Sequence, residues 1–221
     1  MLLVKQQKII ENFLEADIKA IKSQCGLRRA DHFTALATTA IKLTFPEQFP
    51  SFLPADTGLI VTSSFGPHRT VFAMLDDILD YPEDQMLPTK FSHSVHNAVA
   101  SYLGTILGLK GPAFAISNFE SPLVEALKLA DTLLTANLCP QLLLLAIEEH
   151  ALLTQSLPTL YPERYPSEPK EAAAVFLLES SSEPAAVVLQ PNDSQDGVFG
   201  LPVEQANALL KAPLPYTIAL T

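Results

Sequence analysis

Between Phe91 and Asn137 the sequence, FSHSVHNAVASYLGTILGLKGPAFAISNFESPLVEALKLADTLLTAN, leaves the backbone almost no slack. Ser92 to Leu107 carries its apolar residues at helical spacing, with small residues scattered along it. Gly108 to Pro112 is a turn. Ala113 to Asn118 is a short apolar run, which reads as a buried strand, and it ends in a tight corner at Phe119–Glu120–Ser121. Pro122 then opens a second helix to Asn137, proline being favoured in a first helical turn. A helix, a buried strand, a sharp corner and another helix is how several enzyme folds present a nucleophile. The residue at this corner is a glutamate, not a cysteine or serine.

The flanking segments continue the alternation. Lys5 to Gln24 spaces Ile9, Ile10, Phe13, Leu14, Ile18 and Ile21 as one face of a helix, broken at Gly26. Asp31 caps a helix expected to run to about Leu43. After a loop marked by Pro46, Pro50 and Pro54, Thr57 to Ser64 is β-branched and apolar, a buried strand, and Thr70 to Leu79 returns as a helix. Pro140 to Ile147 is a further strand, and Pro158 to Pro169 a proline-dotted loop. Ala172 to Leu178 and Ala185 to Leu189 read as a hairpin joined through Glu179 to Pro184. Asn192 to Gly197 reads as a turn, Glu204 to Lys211 as a short helix, and Tyr216 to Leu220 as a last strand or a tail. Strands alternating with helices indicate a layered α/β fold, and near-continuous apolar strands a sheet covered on both faces. A length of 221 residues fits one domain, 1–221.

Charge narrows the function. The net charge is −10, which argues against nucleic acid and against an anionic membrane surface. Charged residues make up only 17% of the chain, a lean surface of the kind that a partner covers. No apolar run reaches membrane-spanning length, and the charged N-terminus lacks the features of a signal peptide. Cys25 and Cys139 fit no zinc spacing, so reduced thiols and a cytoplasmic location are expected.

The chemistry-bearing residues form no complete set. Glu120 either caps its helix or occupies a position built for a reactive group. His93 and His96 lie three apart, a spacing that can hold a metal, but two ligands are too few and no metal is expected. His32, His68 and His150 are isolated. Cys139 reads as an inert buried thiol, and no base lies near Cys25. Ser63 and Ser64 lack the G-x-S-x-G setting, and Gly104, Gly108 and Gly111 make no phosphate loop, so no cofactor is expected.

GPAFAISNFESPLVEALKLA resembles the ketosynthase motif in which a Gly-Pro and a β-strand lead to the nucleophilic cysteine at the head of a buried helix. Gly111 and Pro112 match the Gly-Pro, Ala113 to Ser117 the strand, and Glu120 falls where the cysteine stands. FSHSVHNAVASYLGTILGLKGP is similar to the ketosynthase helix that begins near an asparagine, here Asn97. LRRADHFTALATTAIK at 27–42 resembles the family's early arginine-bearing helix, and Ala172 to Glu179 its Gly-Ala-Ala-x-x-x-Leu-Glu segment, with Glu171 in place of the glycine. The chain is identified as a member of the β-ketoacyl synthase-like N-terminal-domain family. Within it the chain is most similar to the short chain-length-factor-like subunits of aryl polyene type II polyketide and fatty acid clusters.

This resemblance implies a thiolase-like half-fold, a layered α/β structure with a mixed, mostly parallel buried sheet, equivalent to the first half of a ketosynthase. The family's two catalytic histidines belong to the second half, and neither His93 nor His96 inherits their role. A carboxylate cannot hold an acyl chain as a thioester, so no catalytic residue is expected and Glu120 only marks the nucleophile position. The implied function is that of an accessory subunit that pairs with a true ketosynthase and shapes its acyl or polyene tunnel. The strand Ala113, Phe114, Ala115, Ile116 and Ser117 would pair across the interface. Val99, Tyr102, Leu103, Phe114 and Phe119 would limit the tunnel, each excluded methylene forgoing about 0.8 kcal/mol of burial. Two other readings stand beside this one. One is a stand-alone acyltransferase or decarboxylase using Glu120 with His93 or His96. The other is a scaffold for acyl carrier protein, with Lys5, Lys8, Lys19, Lys22, Arg28 and Arg29 as the dense basic region. At net charge −10, carrier docking falls to the ketosynthase.

Overall fold

The computed structural model describes residues 1–221 except 12, 86–87, 164, 166–167, 190–196, 199–200, 203–207, 210 and 221. Its centre is a seven-stranded sheet in the order β3-β2-β4-β5-β1-β9-β6. The strands are β1 (Leu2–Ile10), β2 (Gly58–Ser63), β3 (Ala113–Ser117), β4 (Gln141–Glu148), β5 (Ala172–Ser180), β6 (Val187–Leu189) and β9 (Tyr216–Leu220). A separate two-residue pair joins β7 (Gly197–Val198) to β8 (Leu201–Pro202). The helices are α1 (Glu15–Gln24), α2 (His32–Thr44), α3 (His68–Asp80), α4 (Pro88–Ser94), α5 (Ala98–Leu107), α6 (Pro122–Thr135) and α7 (Leu152–Leu160).

The sheet is mixed. β2 runs parallel to β3 and β4, and β6 parallel to β9. β4–β5, β5–β1 and β1–β9 are antiparallel, so parallel and antiparallel pairings are balanced rather than parallel-dominated. Period-two alternation supplies both faces of the core. Leu142, Leu144 and Ala146 of β4 join Ala174 and Phe176 of β5 under α6, while Leu143, Leu145 and Ile147 face α1, α2 and α5. Helix α2 is buried nearly all round, and its inward threonines Thr38, Thr39 and Thr44 donate to the carbonyls of Thr34, Ala35 and Ala40 at 2.7–2.8 Å. Asp31 caps it as expected, accepting from the Thr34 N–H at 3.1 Å.

Several local expectations are corrected. The N-terminal helix begins only at Glu15, because Leu2 to Ile10 is a strand between β5 and β9. A bulge between Val4 and Gln6 breaks its alternation, which hid the period of two. The helix expected from Ser92 to Leu107 divides into α4 and α5. At the break Ser94 Oγ donates back to the Phe91 carbonyl at 2.9 Å, and the Ala98 N–H reaches Val95 in a tighter turn. The loop expected from Pro158 begins only after Leu160, because α7 turns Thr154 and Leu157 inward and carries Pro158 in its last turn. β5 and β6 form no hairpin, since β1 and β9 lie between them. β5 is buried on both faces and is satisfied by β4 and β1, so β6 completes its ladder on β9 instead. Most of the Asn192 to Gly197 turn and of the Glu204 to Lys211 helix lies outside the described residues.

Candidate functional site

Strand β3 enters its position through a close backbone approach. A Cβ on Gly111 would sit 2.4 Å from the Thr57 carbonyl oxygen and 2.7 Å from that of Asp56, so no side chain fits there. Pro112 follows, and its carbonyl accepts the Leu59 N–H at 2.9 Å. At the far end the Asn118 N–H donates to the Ser63 carbonyl at 3.3 Å. These two bonds fix which way the strand faces. Residues 112, 114, 116 and 118 turn their backbone groups toward β2, so Ala113, Ala115 and Ser117 turn theirs outward, where no strand among the described residues lies beyond β3.

The corner after β3 is built by Asn118, whose Oδ1 accepts the N–H groups of Glu120 at 2.8 Å and Ser121 at 3.0 Å. Asn118 therefore organises the start of α6, and Glu120 is not its cap. The Glu120 side chain is exposed and has no hydrogen-bond or ion-pair partner among the described residues. Phe119 beside it is 63% exposed, with its ring edge-on to Phe65 at 5.7 Å between centroids. Phe65 also approaches His68 and Tyr165, so an aromatic cluster flanks the corner.

The other residues expected to carry function separate into two groups. Phe114 is 40% exposed, Ala113 and Ser117 are exposed, and Ala115, Ile116 and Tyr102 are half-buried. Val99 and Leu103, at 2% and 0% exposure, sit inside the chain's own core with α2, behind the surface rather than on it. His93 is buried and its Nε2 is 2.7 Å from the Tyr102 hydroxyl, joining α4 to α5. His96 is exposed and its ring lies against Gly66, where an added Cβ would come within 2.2 Å of Nε2. Among the described residues neither histidine is hydrogen-bonded to Glu120, and no group of three or more His, Cys, Asp or Glu is placed to hold a metal. Burial pushes the Cys25 and Cys139 thiols up, away from reactivity.

Two residues that the sequence reading passed over lie at the end of β4. Glu148 is 8% exposed. Its carboxylate accepts from the Ser63 hydroxyl at 3.0 Å, from the Ser64 N–H, and from the Phe65 N–H at 3.4 Å. Glu149 is fully buried and accepts the Arg69 N–H at 2.8 Å. Burial pushes both carboxyls up to about 7 against the pull of these donors. His68 Nδ1 lies 3.2 Å from the Gly66 carbonyl, which assigns the proton to Nδ1. Burial lowers the pKa of this imidazole, the Gly66 bond opposes that, and the charges of Arg69 and His150 add to the lowering. His68 Nε2 and Glu149 Oε2 are buried without hydrogen-bond partners among the described residues.

This group holds the turn after β2, and with it Phe65, in place beside the corner. A cleft of about 720 Å³ opens beyond it, lined in part by His32, Arg69, His150 and Glu171. Two of its polar groups are engaged within the chain: His32 Nε2 is 2.7 Å from Glu171 Oε1, and Arg69 Nη2 donates to the His150 carbonyl at 2.8 Å. Burial raises the Glu171 carboxyl, but the His32 bond and charge outweigh it and hold the group below its ordinary value. No helix among the described residues is long and apolar enough to cross a membrane.

Comparison with known proteins adds to this geometry. The model of the family described as beta-ketoacyl synthase, N-terminal domain, matches residues 49–214. No curated protein matches the sequence. Among solved structures, the ishigamide ketosynthase/chain length factor aligns with a TM-score of 0.67 at 16% identity, over 81% of this chain and 62% of that one. The AntDE:AntF complex, a type II polyketide synthase acyl-carrier protein with its ketosynthase, aligns with a TM-score of 0.64 at 17% identity, over 80% and 62%. The chain thus spans about six-tenths of the length of these two. A chain of the complex of the ketosynthase ApeO with its chain length factor ApeC, from Xenorhabdus doucetiae, aligns with a TM-score of 0.64 at 16% identity, over 100% of this chain and 96% of that one. At these identities the likeness is one of fold.

Proposed function

Because the chain belongs to the β-ketoacyl synthase N-terminal-domain family, we propose that it is a non-catalytic, chain-length-factor-like subunit, one that pairs with a true ketosynthase and shapes its acyl tunnel. The observation that carries this reading is β3: an edge strand with three outward-facing backbone positions, set directly before the corner that carries the exposed Glu120. Unpaired edges are a liability that proteins cover, and a partner strand would cover this one. The similar solved structures include ketosynthases together with their chain length factors, in keeping with such a partner.

Glu120 stands where the family's cysteine would, and a carboxylate forms no thioester, so the condensing nucleophile belongs to the partner. Phe114 and Phe119 are the exposed aromatics on the two sides of the corner and would form the tunnel wall, with half-buried Tyr102 beside them and Val99 and Leu103 backing it from the core. Acyl carrier protein would then dock on the ketosynthase. Residues 1–221 act as one unit in this reading, and the unpaired thiols of Cys25 and Cys139 fit a cytoplasmic setting.

The test is co-expression with a ketosynthase from the same organism, followed by mass measurement of what co-purifies. A one-to-one complex that elongates carrier-bound chains is expected, with activity abolished by removing the partner's cysteine and retained in Glu120→Ala. Phe114→Ala in that complex is expected to lengthen the products. A monomer or homodimer that ignores the ketosynthase overturns the reading.

A further inference from the structure

A second cavity, of about 500 Å³, is lined by residues from the start of α2, from α3 and from α4. That volume lies within the roughly 300–1,000 Å³ of small-molecule sites. Its polar groups can be followed one by one. Asp31 is the one carboxylate among the described residues of its wall, and both of its oxygens are engaged. Oδ1 accepts from the Thr34 N–H at 3.1 Å, and Oδ2 accepts from the Thr70 hydroxyl at 3.4 Å. Lys90 is paired with Asp77. Arg69 is shared with the neighbouring cleft: one guanidinium nitrogen donates to the His150 carbonyl at 2.8 Å, and its charge acts on Glu149 and Glu171.

Two donors remain uncommitted. Arg29 is exposed and has no hydrogen-bond or ion-pair partner among the described residues. His93 is 6% exposed, and the Tyr102 hydroxyl at 2.7 Å occupies its Nε2, which leaves Nδ1 as the free ring nitrogen. The acceptors of this wall are therefore spent while donors are left over, and the complement of such a wall is an anion. Between the polar groups the surface is apolar, formed by Ala73, by the threonine methyls and by the aliphatic stems of the long cations. The balance differs from that of the 720 Å³ cleft, which sets Glu11, Glu15, Glu168 and Glu171 against Arg69 and Lys170.

We propose that the 500 Å³ cavity binds a small organic anion, a carboxylate or phosphate group on a compact apolar body. Arg29 holds the anionic group, since a guanidinium offers two parallel N–H donors to either kind of oxygen pair, and His93 and Arg69 are the further donors. Ala73 and the threonine methyls take the apolar body. The proposal does not depend on the ketosynthase reading.

The test is calorimetric titration of the full chain, at low and high salt, with phenyl phosphate, phenylacetate, inorganic phosphate and phenylacetamide, the neutral match of phenylacetate. At least one of the two aryl anions should bind, more weakly at high salt, and the amide should not. Whichever aryl anion binds more tightly identifies the group as phosphate or carboxylate. Arg29→Gln should weaken that binding about tenfold or more, as when a charged hydrogen-bond partner is removed. Its melting temperature should match the parent's, because the side chain has no partner to lose. Binding of neither aryl anion overturns the proposal. Inorganic phosphate binding as tightly as phenyl phosphate, or the amide as tightly as phenylacetate, overturns it too, by removing the role of the apolar body or of the charge. Loss of binding in Lys170→Gln but not in Arg29→Gln would put the anion in the neighbouring cleft and refute the assignment.

Discussion

Glu148 shows at the residue scale what holds the turn after β2 in place. Three donors from Ser63, Ser64 and Phe65 converge on it, yet burial pushes its carboxyl up to about 7 from an ordinary 4.5. The folded chain thus keeps a proton that the unfolded chain releases at lower pH. Folded stability therefore declines as pH rises through that window, and Glu149 adds in the same direction. At about 1.4 kcal/mol per pKa unit the two pKa values imply about 3 kcal/mol for each group. Thermal melts across this range should show the decline for the parent and a flatter profile for Glu148→Gln. Glu148→Ala should cost about 1–3 kcal/mol at every pH, because it strands the buried donors. Neither glutamate was legible in the sequence as a buried group. Their burial is made by the turn at residues 63–69, about eighty positions away, and no local pattern records that contact. Gly111 and Asp31 were legible, since each acts on backbone within reach of its own segment or on a fold feature with a fixed residue requirement.

At the scale of the element, β3 is the piece whose role can be separated from its folding. Its Ala115 N–H faces away from β2, so Ala115→Pro removes a donor from the free edge and none from the ladder. The isolated variant should melt near the parent, while the complex with a ketosynthase should fail to form by size-exclusion chromatography. Loss of the fold, or an undisturbed complex, would count against edge pairing. The central elements β2, β4, α2 and α6 were readable because strand runs, caps and a first-turn proline act locally; β3 was readable as a strand but not as buried, since its apolar run lies at the sheet edge with every residue exposed or half-buried. The elements that escaped were those whose period is interrupted: β1 by its bulge, α7 by Pro158, and α4–α5 by the break at Val95–Asn97. The partnership of β6 with β9 rather than β5 is a matter of which strand still has an open edge, and periodicity does not address it.

For the whole molecule, charge is the property that divides labour. At −10 the chain alone should show no association with an acidic carrier protein in titrations at low salt, whereas its complex with a ketosynthase should bind one. Binding by the chain alone would restore the carrier-scaffold reading. The order of the strands carries a separate consequence, for biosynthesis. β1 leaves the ribosome before the other strands of this sheet, but both of its neighbours, β5 and β9, come from residues 172–220. During translation the parallel unit β3-β2-β4 is complete while β1 is still single and the β4 edge is open. Such long-range closure is slow and leaves apolar strand edges exposed. A nascent chain in that state offers two open edges, at β3 and at β4, and only the first persists once β5 arrives. A partner made from the same message would meet the β3 edge before the rest of the sheet has closed, which would make the timing of synthesis part of how such a pair forms.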